Sequence, residues 1–126
     1  MGPPPSERSR RGSAAESFVA AALEQSGWRI LHRNLRTPLG EVDILARSPD
    51  QPPFLVAVEV KARHPLAWDA GEEALRPAQR RRLARALEWF ARRTGWNGDL
   101  RLDLVRVVWD EGRAEALEHL PGVAVD

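Results

Sequence analysis

Lysine is almost missing from this chain. Of its 19 lysine and arginine side chains all but one are arginine, and the single lysine, Lys61, ends an apolar run at Glu59-Val60-Lys61. The two cations differ in kind: arginine is a broad planar fork, lysine a compact, strongly hydrated point charge whose pKa moves readily on burial. A lysine dropped at random among the basic positions would land here about one time in 19. Cysteine is absent altogether, which excludes a disulfide framework, cysteine-ligated metal and a thiol nucleophile. No apolar run approaches the ~20 residues of a membrane span. The first residues are charged and proline-rich rather than apolar, so no secretory signal is expected and the default is a cytoplasmic protein without a membrane partner. Neither sign of charge dominates, since 19 Lys and Arg against 18 Asp and Glu leave a net charge of +1. Bulk charge therefore announces no polyanion, although the arginines gather between residues 80 and 93.

What is present suffices for one domain with one core, at 126 residues and 43% hydrophobic. Residues 1–12 have little to bury and read as a disordered lead, leaving 13–126 as the domain. Ser13-Ala14-Ala15-Glu16 has the pattern of a capping box, and a helix is expected from there to about Gln25, with Gly27 as its left-handed stop. Strands are expected at 28–35, at 41–46 and, most strongly, at 54–61, where dense β-branched residues suggest burial on both faces. In the second of these, a period of two puts Val42, Ile44 and Ala46 on one face and Glu41, Asp43 and Leu45 on the other. A loop at 64–75 precedes a helix over 77–93 with proline at its first turn. A strand at 100–109 and a turn at Asp110-Glu111-Gly112-Arg113 follow; residues 114–120 are ambiguous between helix and a short edge strand. The expected order is α-β-β-β-α-β-(β), an α/β fold.

Three ionisable side chains, Asp43, Glu59 and Lys61, sit in segments that otherwise read as buried sheet. Isolated charges there are costly, so they require pairing or a metal. If the two strands are neighbours, Asp43 and Glu59 converge, and with a main-chain carbonyl and waters they suit a hard divalent ion, Mg²⁺ or Mn²⁺. Lys61, two residues on and facing the same way, would orient a water or stabilise a charged transition state. The plain alternative is an ion pair within a sheet. Glu16 has two readings of equal weight, a helix cap or a third acidic group turned toward the sheet. Glu41, near its strand start, is expected to face solvent.

On the second helix, Arg81, Arg85 and Arg92 share the face opposite Leu83, Leu87 and Phe90, with only Glu88 opposing them. Arg63, Arg76 and Arg80 add positive potential near the helix start, and Gln79 and Arg80 in its first turn could reach a phosphate. His32, His64 and His119 have no metal-ligand spacing and are expected in loops or packing. Most of the five tryptophans are expected in the core; Trp68, in the loop, is the candidate for stacking on a base.

Together these residues resemble the PD-(D/E)XK nuclease superfamily and, more narrowly, the YraN-like family of uncharacterised bacterial proteins. The resemblance spans roughly residues 12–120. It rests on Gly12-Ser13-Ala14-Ala15-Glu16, Arg33-Asn34, Gly40-Glu41-Val42-Asp43, Val58-Glu59-Val60-Lys61-Ala62-Arg63, residues 79–83 and Arg101-Leu102-Asp103-Leu104-Val105. Two positions depart from the pattern: Val42 replaces the proline that names the motif, and Gln79 stands where related sequences often carry lysine. The resemblance implies a restriction-endonuclease-like mixed sheet flanked by helices, similar to Holliday-junction resolvases. It implies Asp43, Glu59 and Lys61 as the catalytic set and Glu16 as the first-helix acid. The expected activity is Mg²⁺-dependent endonucleolytic hydrolysis of phosphodiesters in DNA, structured or branched DNA included, by a monomer or homodimer. The rival is a nucleic-acid-binding module of the same fold with little turnover.

Overall fold

The strand with the strongest sequence signal lies at the centre of the sheet. A computed structural model of the chain describes residues 7–67 and 75–123. Helix α1 (Glu7–Gln25) is followed by β1 (Arg29–Thr37), β2 (Gly40–Arg47) and β3 (Phe54–Arg63), then a short 3₁₀ turn at Pro65–Ala67, α2 (Pro77–Thr94), β4 (Asp99–Asp110) and β5 (Arg113–Leu120). The five strands form one sheet in the order β1-β2-β3-β4-β5. Only the β3–β4 pair is parallel; the other three neighbours are antiparallel. A parallel pair needs a long crossover, and α2 lies within it. This is the expected α/β mixed sheet flanked by helices.

Each helix covers one face. Ala15, Val19 and Leu23 of α1 bury Ile44, Val56, Val58, Val105 and Val107. Leu83, Ala86, Leu87 and Ala91 of α2 bury Val42, Leu45, Leu55, Ala57, Leu102 and Leu104. Consecutive residues 55–58 of β3 are therefore all fully buried, alternately under one helix and the other. The β4–β5 turn puts Glu111 (φ 50°) and Gly112 (φ 78°) in the left-handed region, as a two-residue hairpin requires. Residues 114–120 are a strand, which resolves their ambiguity in favour of pairing with β4.

Three expectations need correction. The first helix begins at Glu7, not Ser13, taking in residues assigned to the lead; residues 1–6 lie outside those described. Glu, Arg and Ser at 7–11 offer no proline or β-branched residue to stop a helix running back past Ser13. Strict alternation also fails on β2, because Val42 joins the core under α2 with Leu45, while Ile44 and Ala46 lie under α1. The strand re-aims at Asp43, where its pairing with β3 ends. Finally, Trp28, Trp89, Trp96 and Trp109 are all half-buried rather than core. A large indole with an N–H to satisfy sits well at a core margin, as Trp96 does in donating Nε1–H to the Asp99 carbonyl at 3.2 Å. Trp68 lies outside the described residues.

Candidate active site

The site lies where two strands part. The β2–β3 ladder runs from Arg47↔Leu55 to Ile44↔Val58 and ends there. Two residues further along β3, the Val60 amide donates to Oδ2 of Asp43 at 2.8 Å, so a carboxylate stands in for strand pairing. On β3 the next residues outward, Glu59 and Lys61, are partly buried, with side chains 22% and 23% exposed and Lys61 Nζ 3.6 Å from Glu59 Oε1. Asp43 is hydrogen-bonded to Glu59 on one side and to Glu16 of α1 on the other. The four residues singled out from sequence thus come together, Asp43 in the middle.

Glu16 lies within α1 rather than at its start, so its role as a cap falls away. Its other partner is Asn34 of β1, whose left-handed backbone (φ 52°) is one that asparagine tolerates better than most residues. Arg33 adds a favourable charge to Glu16 and donates from Nη2 to Ser17 Oγ at 2.9 Å. Arg33-Asn34 carries this information in the sequence, but nothing in its spacing ties it to Glu16.

The electrostatics of the cluster are unbalanced. Burial first, and then the charge of Asp43, push the carboxyls of both Glu16 and Glu59 up to about 7. Asp43 is also raised, by burial, although the Val60 amide, its two acidic neighbours as donors and Lys61 all favour its ionised form. Around neutrality the outer glutamates are therefore partly protonated, and their protons can be shared with Asp43. Lys61 acts on Asp43 and Glu59, and Arg33 on Glu16; two cations do not balance three carboxylates.

A cleft of about 350 Å³ opens beside Glu59, lined also by Gly40, Glu41, Leu75, Gln79, Arg82 and Leu83. Gly40 is at the mouth with φ 150°, a backbone that L side chains rarely adopt, and a Cβ there would meet the Arg82 carbonyl at 3.7 Å. Glu41 is exposed, as expected, and paired with Arg36 at 3.0 Å. Arg82 is a cleft residue that sequence reading passed over, because it lies off the stripe of Arg81, Arg85 and Arg92.

The remaining candidates are spread around this centre. Gln79 lines the cleft but its Oε1 accepts from the Arg76 amide at 3.2 Å, and Arg80 Nη1 donates to the Leu75 carbonyl at 2.6 Å. Both thereby fix the start of α2. Arg81, Arg85 and Arg92 are exposed along α2, and Arg63 is exposed at the end of β3 with Nη1 on its neighbour's carbonyl, Ala62 O, at 2.9 Å.

A second buried carboxylate had no role in the sequence reading. Asp103 on β4 is fully buried and receives Arg101 Nε at 2.8 Å and Nη2 at 3.0 Å, His119 Nε2 at 2.7 Å and the Gly122 amide at 3.1 Å. Burial alone would raise its pKa; the bonds from His119, Arg101 and Gly122 outweigh burial and hold it below the ordinary value. His119 is thus a partner of the core, packed also on Trp28 with ring centroids 5.5 Å apart. Of the other histidines, His32 on β1 packs edge-on to Phe90 at 5.4 Å, and His64 lies 3.2 Å from Asp110.

Comparison with known proteins covers this whole arrangement. The model of the uncharacterised protein family UPF0102 matches residues 15–107, a span that holds Glu16, Asp43, Glu59, Lys61 and Asp103. A UPF0102 protein of Renibacterium salmoninarum is 38% identical over 89% of this chain and 93% of its own length. One from Syntrophotalea carbinolica is 37% identical over 92% of each chain, and one from Pelobacter propionicus is 34% identical over 86% of this chain and 78% of its own. The expected YraN-like kinship is borne out: this chain belongs to the UPF0102 family.

Proposed function

We propose that the protein is a divalent-metal-dependent nuclease of the PD-(D/E)XK type that hydrolyses phosphodiester bonds, with DNA as the expected substrate. The observation that carries this reading is the charge imbalance at the strand split. A purely structural ion pair would match one carboxylate to Lys61. Here Asp43, Glu59 and Glu16 are linked by hydrogen bonds with only Lys61 and Arg33 to oppose them, which leaves an excess of negative charge that protons reduce. Buried groups so poorly matched are destabilising unless the site is completed by something else.

The donor set fits a hard cation. Asp43 and Glu59 would supply carboxylate oxygens. Among the described residues no group of three or more His, Asp or Glu side chains is placed to hold a metal ion, so with Asp43 and Glu59 as the two protein ligands water would have to complete the shell, as Mg²⁺ prefers. When bound, Mg²⁺ or Mn²⁺ would lower the pKa of an attacking water and offset charge on the phosphoryl group. Lys61, 3.6 Å from Glu59, would supply a point charge for the developing oxyanion or for orienting the water. Glu16, hydrogen-bonded to Asp43 and Asn34, holds Asp43 in place and can accept a proton near neutrality. Arg82, at the cleft wall, provides a cation for the phosphate backbone.

The test is incubation of the purified protein with Mg²⁺ or Mn²⁺ and a panel of duplex, single-stranded, flapped and four-way DNA and RNA. Cleavage by wild type and its loss in Lys61→Arg is the expected result. Binding to the panel without cleavage under any divalent ion would leave the binding-module reading in its place.

A further inference from the structure

A second groove, of about 320 Å³, continues along α2 from the cleft and is lined by Leu39, Arg85, Glu88, Trp89, Arg92 and Arg93. Consecutive residues of the turn between β1 and β2 line both depressions: Gly40 and Glu41 the cleft, Leu39 the groove. That turn is held by Thr37 Oγ1, which accepts from the Leu39 amide at 3.1 Å and donates to the Gly40 carbonyl at 2.7 Å. Leu39 is left 46% exposed on the ridge. On α2, Arg82 of the cleft and Arg85, Trp89 and Arg92 of the groove recur at helical spacing and fall on one side of the helix. The stripe is about 15 Å long at 1.5 Å per residue, the length of a few extended nucleotides.

We propose that this groove is the path of a single strand, so that the preferred substrate carries a single-stranded arm running from the cleft, over Leu39, to Trp89. The proposal rests on the nuclease reading of the adjoining cleft. Its chemistry is that of single-strand recognition: cations that follow a backbone, interleaved with a flat ring for a base. The Arg93 guanidinium lies 5.2 Å from the centre of the Trp89 ring, and bases stack on guanidinium planes as well as on aromatics. Leu39 offers an apolar edge of the kind that separates stacked bases. Glu88 lies in the same groove and would turn phosphates toward the Arg85 and Arg92 side. A duplex, with its bases enclosed, could use the arginines but not the indole.

The test uses the full chain carrying Asp43→Asn, in EDTA, so that binding is read without turnover. Anisotropy is measured with labelled oligothymidylates, a blunt duplex of equal length and a polyglutamate peptide. Adding Trp89→Ala should weaken oligothymidylate binding about tenfold, the low end of a lost base stack, while blunt-duplex affinity stays within about twofold. Trp89→Phe, which keeps a ring, should retain most of the affinity and guards against misfolding. Arg85→Ala with Arg92→Ala should flatten the log–log salt dependence for the single strand by about 1.4, at about 0.7 per phosphate contact. Unchanged single-strand binding in both groove variants would overturn the proposal. So would polyglutamate displacing the oligothymidylate at equal charge concentration, which would make the groove a site for acidic peptides. Cleavage assays with Asp43 intact separate the two readings. Groove variants that bind normally beside a wild type that cuts sink the groove alone. A wild type that binds single strands through Trp89 but never cuts sinks the nuclease reading and leaves the groove.

Discussion

Asp43 and Asp103 are two aspartates in one sheet, two strands apart, and their surroundings are opposite. Asp103 is fully enclosed, yet an arginine fork, a histidine and a backbone amide meet its oxygens. The Arg101 side chain is itself held, over the Phe54 ring at 4.7 Å and the Trp28 ring at 5.7 Å. Asp43 has one amide, one lysine and two competing acids. Both depart from ordinary carboxylates, one held low and the other raised. Burial does not distinguish a structural acid from a reactive one. The balance of partners does: a satisfied network fixes one conformation, whereas surplus charge of one sign leaves chemistry to be completed by a ligand.

The sharpest break in this comparison should come from Asp103→Ala. It leaves Arg101 with only the longer pair to Asp50 at 3.7 Å, and removal of one partner from a buried pair costs about 3–5 kcal/mol. Urea unfolding would show it; a loss below about 1 kcal/mol would mean that Asp103 contributes no more than an exposed pair.

Asp43→Asn should do the reverse. In EDTA at pH 8 its melting temperature should equal or exceed that of wild type, since a repelling charge is gone, while cleavage falls by at least about 10²–10³-fold, the scale of one lost electrostatic stabiliser. Mg²⁺ or Mn²⁺ should raise the melting temperature of wild type by mass action but not that of this variant. Equal metal shifts in both would remove Asp43 as a ligand.

The pH dependences should also run in opposite directions. Glu16 and Glu59, raised to about 7, contribute stability that is complete below the usual glutamate value and disappears as pH rises through about 7. Asp103, held low, contributes stability present above the usual aspartate value and lost as pH falls through its depressed one. Thermal melts in EDTA should therefore decline from pH 5 to pH 8, and saturating Mn²⁺ should flatten that limb. A metal-free profile that is flat over this range contradicts the shared-proton account.

Smaller still is the effect of Glu16→Gln, expected to melt within about 1 kcal/mol of wild type while slowing cleavage by at least about tenfold. Unimpaired cleavage would return Glu16 to a packing role. At the bottom of the scale, Glu41→Gln breaks an exposed pair with Arg36 and should change stability by less than about 0.5 kcal/mol, measured by the same urea titration.

Much of this molecule was legible in its residues. Dense β-branched residues marked β3 as central, Gly27 (φ 92°) marked the end of the first helix, and Asp-Glu-Gly-Arg closed the last hairpin. A lone lysine after a buried run pointed to the site. Other parts followed from contacts between segments far apart. The capping pattern at Ser13 was real as a pattern, but the preceding residues also favour helix, and the longer helix won. Alternation on β2 broke at Asp43, since a period of two presumes pairing that β3 there withdraws. Arg82 and Trp89 were not singled out by helical spacing alone, because which side of α2 faces the β1–β2 turn depends on how the helix lies on the sheet.

The chain's own chemistry determined the elements, their order and the types of side chain placed in the strands, because propensity and periodicity act over a few residues. Only the tertiary structure decided that Glu16, Asp43, Glu59 and Lys61 come together where two strands part, while Asp103 is hydrogen-bonded by Arg101 and His119. Charge balance is summed over everything within a few ångströms, and those neighbours come from a helix and strands that the sequence keeps well apart.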